Sequence, residues 1–353
     1  MSETKEKAPR KGLGQTLLGL SDSNMLLLIT VVVFILMYIF AMTVIGKGFL
    51  TGQGFLNILN NNAYMIILAC GLSVVMITGG IDISVGGVTA LITMCCGVWL
   101  DKSGGNLITS MGVAVLIGLA FGAVQGYLVA YLDIQPFIVT LAGMFFARGL
   151  TTIISSVPFN VANEEFVGLR DLRIVVPGLG SINRRGVYVD ATIEAGVIVA
   201  IIVVLVMFFI LKFTKLGRAF YAVGGNRQSA LMLGINVKRT RFMAQLICGL
   251  LAGIGGYVYL THVGSASVLN ASGAEMNAIA SSIIGGTLLT GGVGNIIGTF
   301  FGVLSLGTIK DIVTSAGFEQ SWWTGITVAG MLCFFIVVQS ILMKIKSRAK
   351  KKK

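Results

Sequence analysis

The sequence predicts an all-α, polytopic membrane protein of about ten transmembrane helices. Composition, the recurrence of long apolar runs and the placement of basic residues carry that prediction. Of 353 residues, 55% are hydrophobic and only 11% are charged, against about 25% charged in a typical soluble domain. The 14 acids and 26 bases are too few to cover a soluble surface of this size.

The first apolar run, 25–46, carries no charge and exceeds the roughly 20 residues a helix needs to cross a bilayer core. It is longer than the apolar region of a signal peptide, and more runs follow, so it reads as a retained first helix. The further expected spans are 59–78, 84–100, 107–131, 136–156, 191–213, 241–261, 274–290, 295–312 and 322–343. Segment 274–290 is short and rich in small residues. Three stretches are strongly basic: 1–24 with Lys5, Lys7, Arg10 and Lys11, the loop 212–241, and the tail from Lys344. Together they hold 18 of the 26 bases. With these stretches inside, both termini are expected in the cytoplasm, and an even number of spans separates each basic stretch. The net charge of +12 then reports orientation rather than nucleic-acid binding, the tail lying near anionic headgroups. The expected organisation is a cytoplasmic segment 1–24, a transmembrane domain 25–343 and a basic tail 344–353.

Several chemistries are missing. Cys70, Cys95, Cys96, Cys248 and Cys333 lie in apolar spans without a CxxC pair and read as small hydrophobes. A single histidine, His262, leaves no zinc site and no histidine-based triad. There is no GxxxxGK[ST] phosphate cradle, and Gly292, Gly294 and Gly298 have one residue too many for GxGxxG. If ATP drives this protein, another subunit binds it.

The 47 glycines include ridges at four-residue spacing: Gly118, Gly122 and Gly126; Gly249 and Gly253; Gly294, Gly298 and Gly302. Such spacing lets helix backbones approach closely in lipid. The stretches TGGIDISVG (78–86) and TGGVGNIIG (290–298) resemble each other, as in an internal repeat of either sense. The outer segment 157–190 mixes Glu164, Glu165 and Asp171 with Arg170, Arg173, Arg184 and Arg185. It reads as a solvated cap or as a surface for an external partner. The stretch 215–239, KLGRAFYAVGGNRQSALMLGINVKR, is too polar to span. Asn226 suits the cap of a short helix over 227–233 that Gly234 ends. Such a helix fits docking to a soluble partner or a plain amphipathic connector.

Three motifs together carry a family resemblance. The loop is similar to the coupling loop of permease subunits of bacterial ATP-binding-cassette (ABC) sugar importers, GRxxxAVGGNxxxAxxxGI. The matches are Gly217, Arg218, Ala222, Val223, Gly224, Gly225, Asn226, Ala230, Gly234 and Ile235. Residues 79–86 match the GGID(L/I)SVG stretch of the ribose-type family, and the residues from Glu275 to Gly294 match ExxAIAxxxIGGTxLxGGxG. The resemblance covers about 25–345. Within it, residues 137–146 and Ser321, Trp322, Trp323 and Thr324 resemble a permease of the galactofuranose importer. Gly325 departs from that subunit, which has lysine there, and so does the charged pair Lys310 and Asp311.

The resemblance implies half of a permease pair in the bacterial inner membrane. A cytoplasmic ABC ATPase would bind ATP and Mg and dock on Gly217, Arg218, Ala222, Gly224, Gly225, Asn226, Ala230 and Gly234. A periplasmic binding protein would deliver a monosaccharide, and a second permease, favoured as a related chain, would complete the pathway. This chain would catalyse no covalent chemistry and hold no cofactor. Candidate pathway or gate residues are Asn61, Asn62, Asp82, Ser84, Thr140, Glu275, Trp322 and Trp323. Each has a structural alternative. Asp82 and Glu275 suit helix caps, Asn60 to Asn62 suit a helix start, and the tryptophans suit an interfacial belt. Arg148, inside the fifth span, reads as snorkelling or ion-paired. The competing class, a self-sufficient secondary transporter or channel, expects ionisable residues at mid-membrane, and few acids fall inside these spans. A receptor would expect a sizeable soluble domain.

Overall fold

The computed structural model describes residues 22–46, 48–182, 187–318 and 320–351. The basic residues before 22, with Arg184 and Arg185, lie outside them. Among the described residues nine helices are long and apolar enough to cross a membrane. They are α1 (Asp22–Phe40, continued by a π-helical turn Ala41–Ile45), α2 (Gly52–Ile77), α3 (Val85–Lys102), α4 (Leu107–Ala130), α5 (Pro136–Ile154), α7 (Ala195–Phe213), α10 (Val237–Val263), α12 (Ile296–Ser315) and α13 (Ser321–Lys351). Shorter helices are α6 (Glu164–Asp171), α8 (Lys215–Gly225), α9 (Arg227–Met232) and α11 (Ala274–Ile284). Two small antiparallel pairings complete the chain. Strand β1 (Phe159–Asn160) pairs with β4 (Ser265–Ala266), and β2 (Arg173–Ile182) with β3 (Tyr188–Glu194).

From Ala63 to Ile77 helix α2 is apolar on nearly every side and forms the centre, as a helix without a polar face should, whereas α13 lies at the rim. Starts follow the caps. Thr51, Asn106, Thr214, Asn226, Asn236 and Asn295 each accept a backbone N–H of the helix they precede. Pro136 opens α5, where its missing N–H costs nothing. Because Thr51 is the cap, α2 begins seven residues before the expected 59, and Asn60 to Asn62 lie inside the helix rather than at its start.

The glycine ridges pack as the spacing predicts. A Cβ on Gly118 would fall on the carbonyl of Gly249, and one on Gly249 would fall on the carbonyl of Gly118. Gly298 and Gly302 press on the backbone of Gly285 and Ser281 in the same way. Backbone against backbone cannot yield as a side chain can. Gly249→Leu is expected to cost at least about 3 kcal/mol, the upper range of ordinary overpacking, read as a lowered melting temperature of the detergent-solubilised protein. Gly225→Leu, whose Cβ would meet nothing within 4 Å, is the control.

The expected span 274–290 is not one helix. From the β4 end the chain runs without helix through 267–273, with positive φ at Ala271 (52°) and Gly273 (77°), before α11 supplies eleven helical residues. It then turns over Gly285 to Asn295, where Gly292 N donates to Ile77 O at 2.9 Å. The segment thus joins the end of the molecule that carries the β-hairpin to the end that carries α8 and α9, as a run of turns followed by a helix. Glycines at 273, 285 and 286 break the helix, and the freed backbone groups are satisfied by protein, as non-helical backbone at membrane depth requires. Arg148 Nη1 donates to Val268 O and Asn270 O at 2.6 and 2.7 Å. Asn270 Nδ2 donates to Ser265 O at 2.8 Å, and the Ala271 N–H to Tyr259 Oη at 3.3 Å. With this broken crossing the parity of ten holds. Ser23 Oγ donates to Gly294 O near the start of the described chain, and Gln339 Nε2 to Ile283 O near its finish, so both ends lie on the side of α8 and α9.

Candidate functional site

The two similar turns, 78–86 and 290–298, come together on that side. Gly79 (φ 82°) and Gly291 (φ 81°) face each other, so that a Cβ on Gly291 would lie 2.9 Å from Gly79 Cα. Each turn follows a crossing that arrives on the α8 side and precedes a helix that leaves it, so the two run in the same sense.

Helix α8 seats on both turns. Its apolar face buries Phe220 and Val223, with Gly217 against the carbonyls of Ile210 and Leu211. At its end, a Cβ on Gly224 would fall on Ile77 O and lie 2.6 Å from Gly292 N. Tyr221 Oη donates to Gly294 O at 2.9 Å. Gly225 is open on its own Cβ side, but Gly292 (φ 75°) is packed on its Cα. Asn226 ends α8 and caps α9 through Ser229 N at 2.8 Å. Ala230 is buried with Val223 and Val237, and Gly234 (φ 76°) ends the loop. Of the eight residues assigned to coupling, Gly217, Gly224, Asn226, Ala230 and Gly234 therefore have defined structural duties here. Ala222 packs against the same small cluster, Arg218 is exposed, and Gly225 offers a bare Cα to Gly292.

Sequence reasoning passed over two features of this loop. Leu231, Met232 and Leu233 are exposed, Met232 by 80%. The signal was available: three apolar residues in a row, within an otherwise polar loop, next to the glycine that ends it. The second feature is Asp133 in the turn between α4 and α5, held by Arg227 and Arg241 at 3.0 and 2.9 Å. Hydrogen bonds from the two guanidiniums draw its carboxyl below the usual carboxylate range. The tie is therefore complete above a pH of about 3.9 and is lost as pH falls through the lowered value. A spin label at Leu231→Cys is expected to gain mobility on acidification below that point, and to be mobile at all pH values when Asp133→Asn is added.

The pathway candidates fall into three places. Asp82, Ser84, Thr140 and Glu275 gather at the start of α3. Asp82, buried, accepts from Ser84 N (2.9 Å) and Ser84 Oγ (2.6 Å). Thr140 Oγ1 donates to Pro136 O at 2.9 Å and lies 3.3 Å from Ile81 O. One Glu275 carboxylate oxygen presses on Gly86 without a hydrogen-bond partner. Asn61 lies in a second place, exposed on α2 one turn beyond Asn57 on the same face. Its neighbours point elsewhere: Asn60 holds β3 through Glu194 N (2.9 Å) and Thr192 O (3.3 Å), and buried Asn62 donates to Ile58 O (2.8 Å). The third place is the start of α13, where exposed Trp322 and Trp323 stack at 4.8 Å, with Phe318 5.0 Å from Trp323. Among the described residues no group of His, Cys, Asp or Glu is arranged to hold a metal ion.

Long apolar helices around a buried central one, a crossing broken into halves, and an apolar-tipped loop on one side define a membrane permease component. The chain belongs to the family described as branched-chain amino acid transport system / permease component, whose model matches residues 54–337. It is 36% identical over 320 residues to the inner membrane ABC transporter permease protein YjfF of Escherichia coli K12, covering 90% of this chain and 92% of that one. It is 36% identical over 347 residues to the fructose import permease protein FruG of Bifidobacterium longum, covering 97% and 96%. With the ribose import permease protein RbsC of E. coli the identity is 31% over 307 residues, covering 87% and 91%. No solved structure matches the chain.

Proposed function

We propose that this chain is the transmembrane half-pathway of an ABC sugar importer. It pairs in the bacterial inner membrane with a second, related permease and receives a monosaccharide from a periplasmic binding protein. The sugar is galactofuranose, galactose or a related hexose or pentose. Both termini and the α8–α9 loop face the cytoplasm, where a partner ATPase holds ATP and Mg. This chain holds neither and performs no covalent chemistry.

The observation that carries the reading is the seating of α8 on both glycine turns while α9 presents Leu231, Met232 and Leu233 outward. Exposed apolar residues at the tip of a polar loop are what a docking partner covers. A pull on α9 reaches, through Gly224, the end of α2 and the glycine turn that follows α11 without an intervening flexible side chain. ATP-driven closure of the partner then favours one of two arrangements of the pathway, because the partner binds the two unequally.

The test is reconstitution in proteoliposomes. Uptake is expected only with the ATPase, the second permease and the binding protein all present. Sugar flux through this chain alone would sink the proposal. Leu231→Asp with Met232→Asp is expected to release the ATPase from the purified complex while leaving the melting temperature of the permease unchanged.

A further inference from the structure

Lys310 lies in the half of α12 away from α8, five residues before the helix ends at Ser315, a rise of about 7–8 Å. It is half-buried. Among the described residues it makes no ion pair, not even with Asp311, and its side chain makes no hydrogen bond. Its ammonium is not fully enclosed and opens onto accessible space. Asn61 of α2 is exposed, and its amide is bonded to nothing among the described residues, so both its ends are free whichever way it is turned.

The two side chains share one side of the molecule. Helices α2 and α12 run antiparallel, and a Cβ on Gly307 would meet the Asn62 amide. At about 100° per residue, Asn61 and Lys310 both turn from that contact toward α11, and Asp311 turns the other way. Lys310 shares its face with Thr299, about three turns earlier, and Thr299 is joined through Ser73 to Ser282 of α11 by hydrogen bonds of 2.7 and 2.9 Å. Gly298 and Gly302 meet Gly285 and Ser281 in turn. The same antiparallel register brings Lys310 level with Gly273, where α11 opens without a side-chain cap. The Glu275 carboxylate of that first turn is directed at Gly86 of α3. Free polar groups at this depth are costly against lipid, so the space between Asn61, Lys310 and the start of α11 holds water or a polar solute.

We propose that Lys310 is a specificity-determining residue of the pathway and forms a sugar subsite with Asn61. The inference rests on the sugar-importer reading above and names the contact that reading left open. The ammonium offers three donors and no acceptor, and the amide offers both. Lys310 donates to the oxygen of one sugar hydroxyl, while Asn61 accepts from, or donates to, the hydroxyl beside it. A hydrogen bond from a charged donor is stronger than one between neutral groups, so Lys310 sets which hydroxyl arrangement is held best. A lysine that only snorkels to the headgroups would need no amide on the neighbouring helix and would take no part in selecting the solute.

The experiment uses the whole importer in proteoliposomes. Asn61→Cys, Lys310→Cys and Asp311→Cys are treated with a membrane-impermeant cationic methanethiosulfonate, with and without a non-hydrolysable ATP analogue, and labelling is read peptide by peptide by mass spectrometry. In one of the two nucleotide states Asn61→Cys and Lys310→Cys are expected to react faster than Asp311→Cys. Saturating galactose, fructose or ribose, each tried alone, is expected to slow both reactions in the case of the sugar that fits. Lys310→Met is expected to lower uptake at saturating binding protein by at least about tenfold, the worth of one charged hydrogen bond, with melting temperature and basal ATP hydrolysis unchanged. Lys310→Arg, which keeps the charge and the donors, is expected to restore most of the uptake. Absence of reaction at Lys310→Cys or Asn61→Cys in both states, labelling that none of the three sugars slows, or parental uptake by Lys310→Met would each overturn the proposal. A parent importer that moves none of the sugars would count against the importer reading, whereas the labelling would still decide the subsite.

Discussion

Gly224→Val is expected to abolish ATP-driven uptake, while Gly225→Ala stays within about twofold of the parent. The two glycines are adjacent and indistinguishable by composition, yet their surroundings differ. A Cβ on Gly224 would occupy the position of Ile77 O, which already accepts from Gly292 N at 2.9 Å. Neither neighbour can move aside, because both are backbone at the ends of crossings. The end of α8 must therefore lift off the two turns, which stay joined to each other by that hydrogen bond but lose their contact with α8. The permease should still insert, and its melting temperature should fall by less than that of Gly249→Leu, because α8 lies at the membrane face and can lift while the crossings keep their packing. Uptake and ATPase stimulation by the binding protein are the readouts. Basal ATP hydrolysis without transport is the expected signature. Coupled transport at parental rates by Gly224→Val would show that α8 does not carry the stroke.

Much of this was legible in the sequence. Apolar run length located nine long helices, since each is a one-dimensional property of its own segment. The ridges Gly118–Gly122 and Gly249–Gly253 were legible as close-packing surfaces, and they pack on each other. Asn226 and Gly234 bounded α9 to within a residue because capping is local. The broken crossing was not legible. Segment 274–290 is apolar enough to look like one helix, but the helix stops at Ile284, and the stretch before it is tied down by Arg148, more than a hundred residues earlier in the chain. The two turns at 78–86 and 290–298 were visible as a likeness, but their meeting depends on how α2 and α11 stack. The same limit applies to Asn60, whose amide reads as part of a helix start in a string of three asparagines. In space it pins β3 instead.

Arg148 gives the second large effect. It stands inside a span as neither a snorkelling side chain nor half of an ion pair by contact. One guanidinium nitrogen serves two carbonyls, Val268 and Asn270, of the run of turns that precedes α11. Removing it leaves two acceptors unpaired at membrane depth, at about 1–3 kcal/mol each. The expected loss of roughly 2–6 kcal/mol is comparable to the whole stability of many domains, about 5–15 kcal/mol. Arg148→Leu is therefore expected to accumulate poorly. Arg148→Lys should fold, because an ammonium can still donate, but its shorter side chain does not bring the donor as close to both carbonyls, and the ammonium is more strongly hydrated than a guanidinium. Its melting temperature should fall, and a cysteine introduced at Val268 should become reactive to maleimide in the lysine variant while staying protected in the parent. An Arg148→Leu protein that accumulates and melts like the parent would contradict the assignment. The consequence for transport follows from the chain path. The run of turns 267–273 suspends α11 from the hairpin side, and α11 leads into the glycine turn beneath α8. If the suspension slackens, movement of α8 is absorbed by 267–273 instead of reaching Glu275 and the start of α3. The lysine variant should therefore couple poorly even where it folds, with ATP consumed per sugar rising before uptake itself is lost.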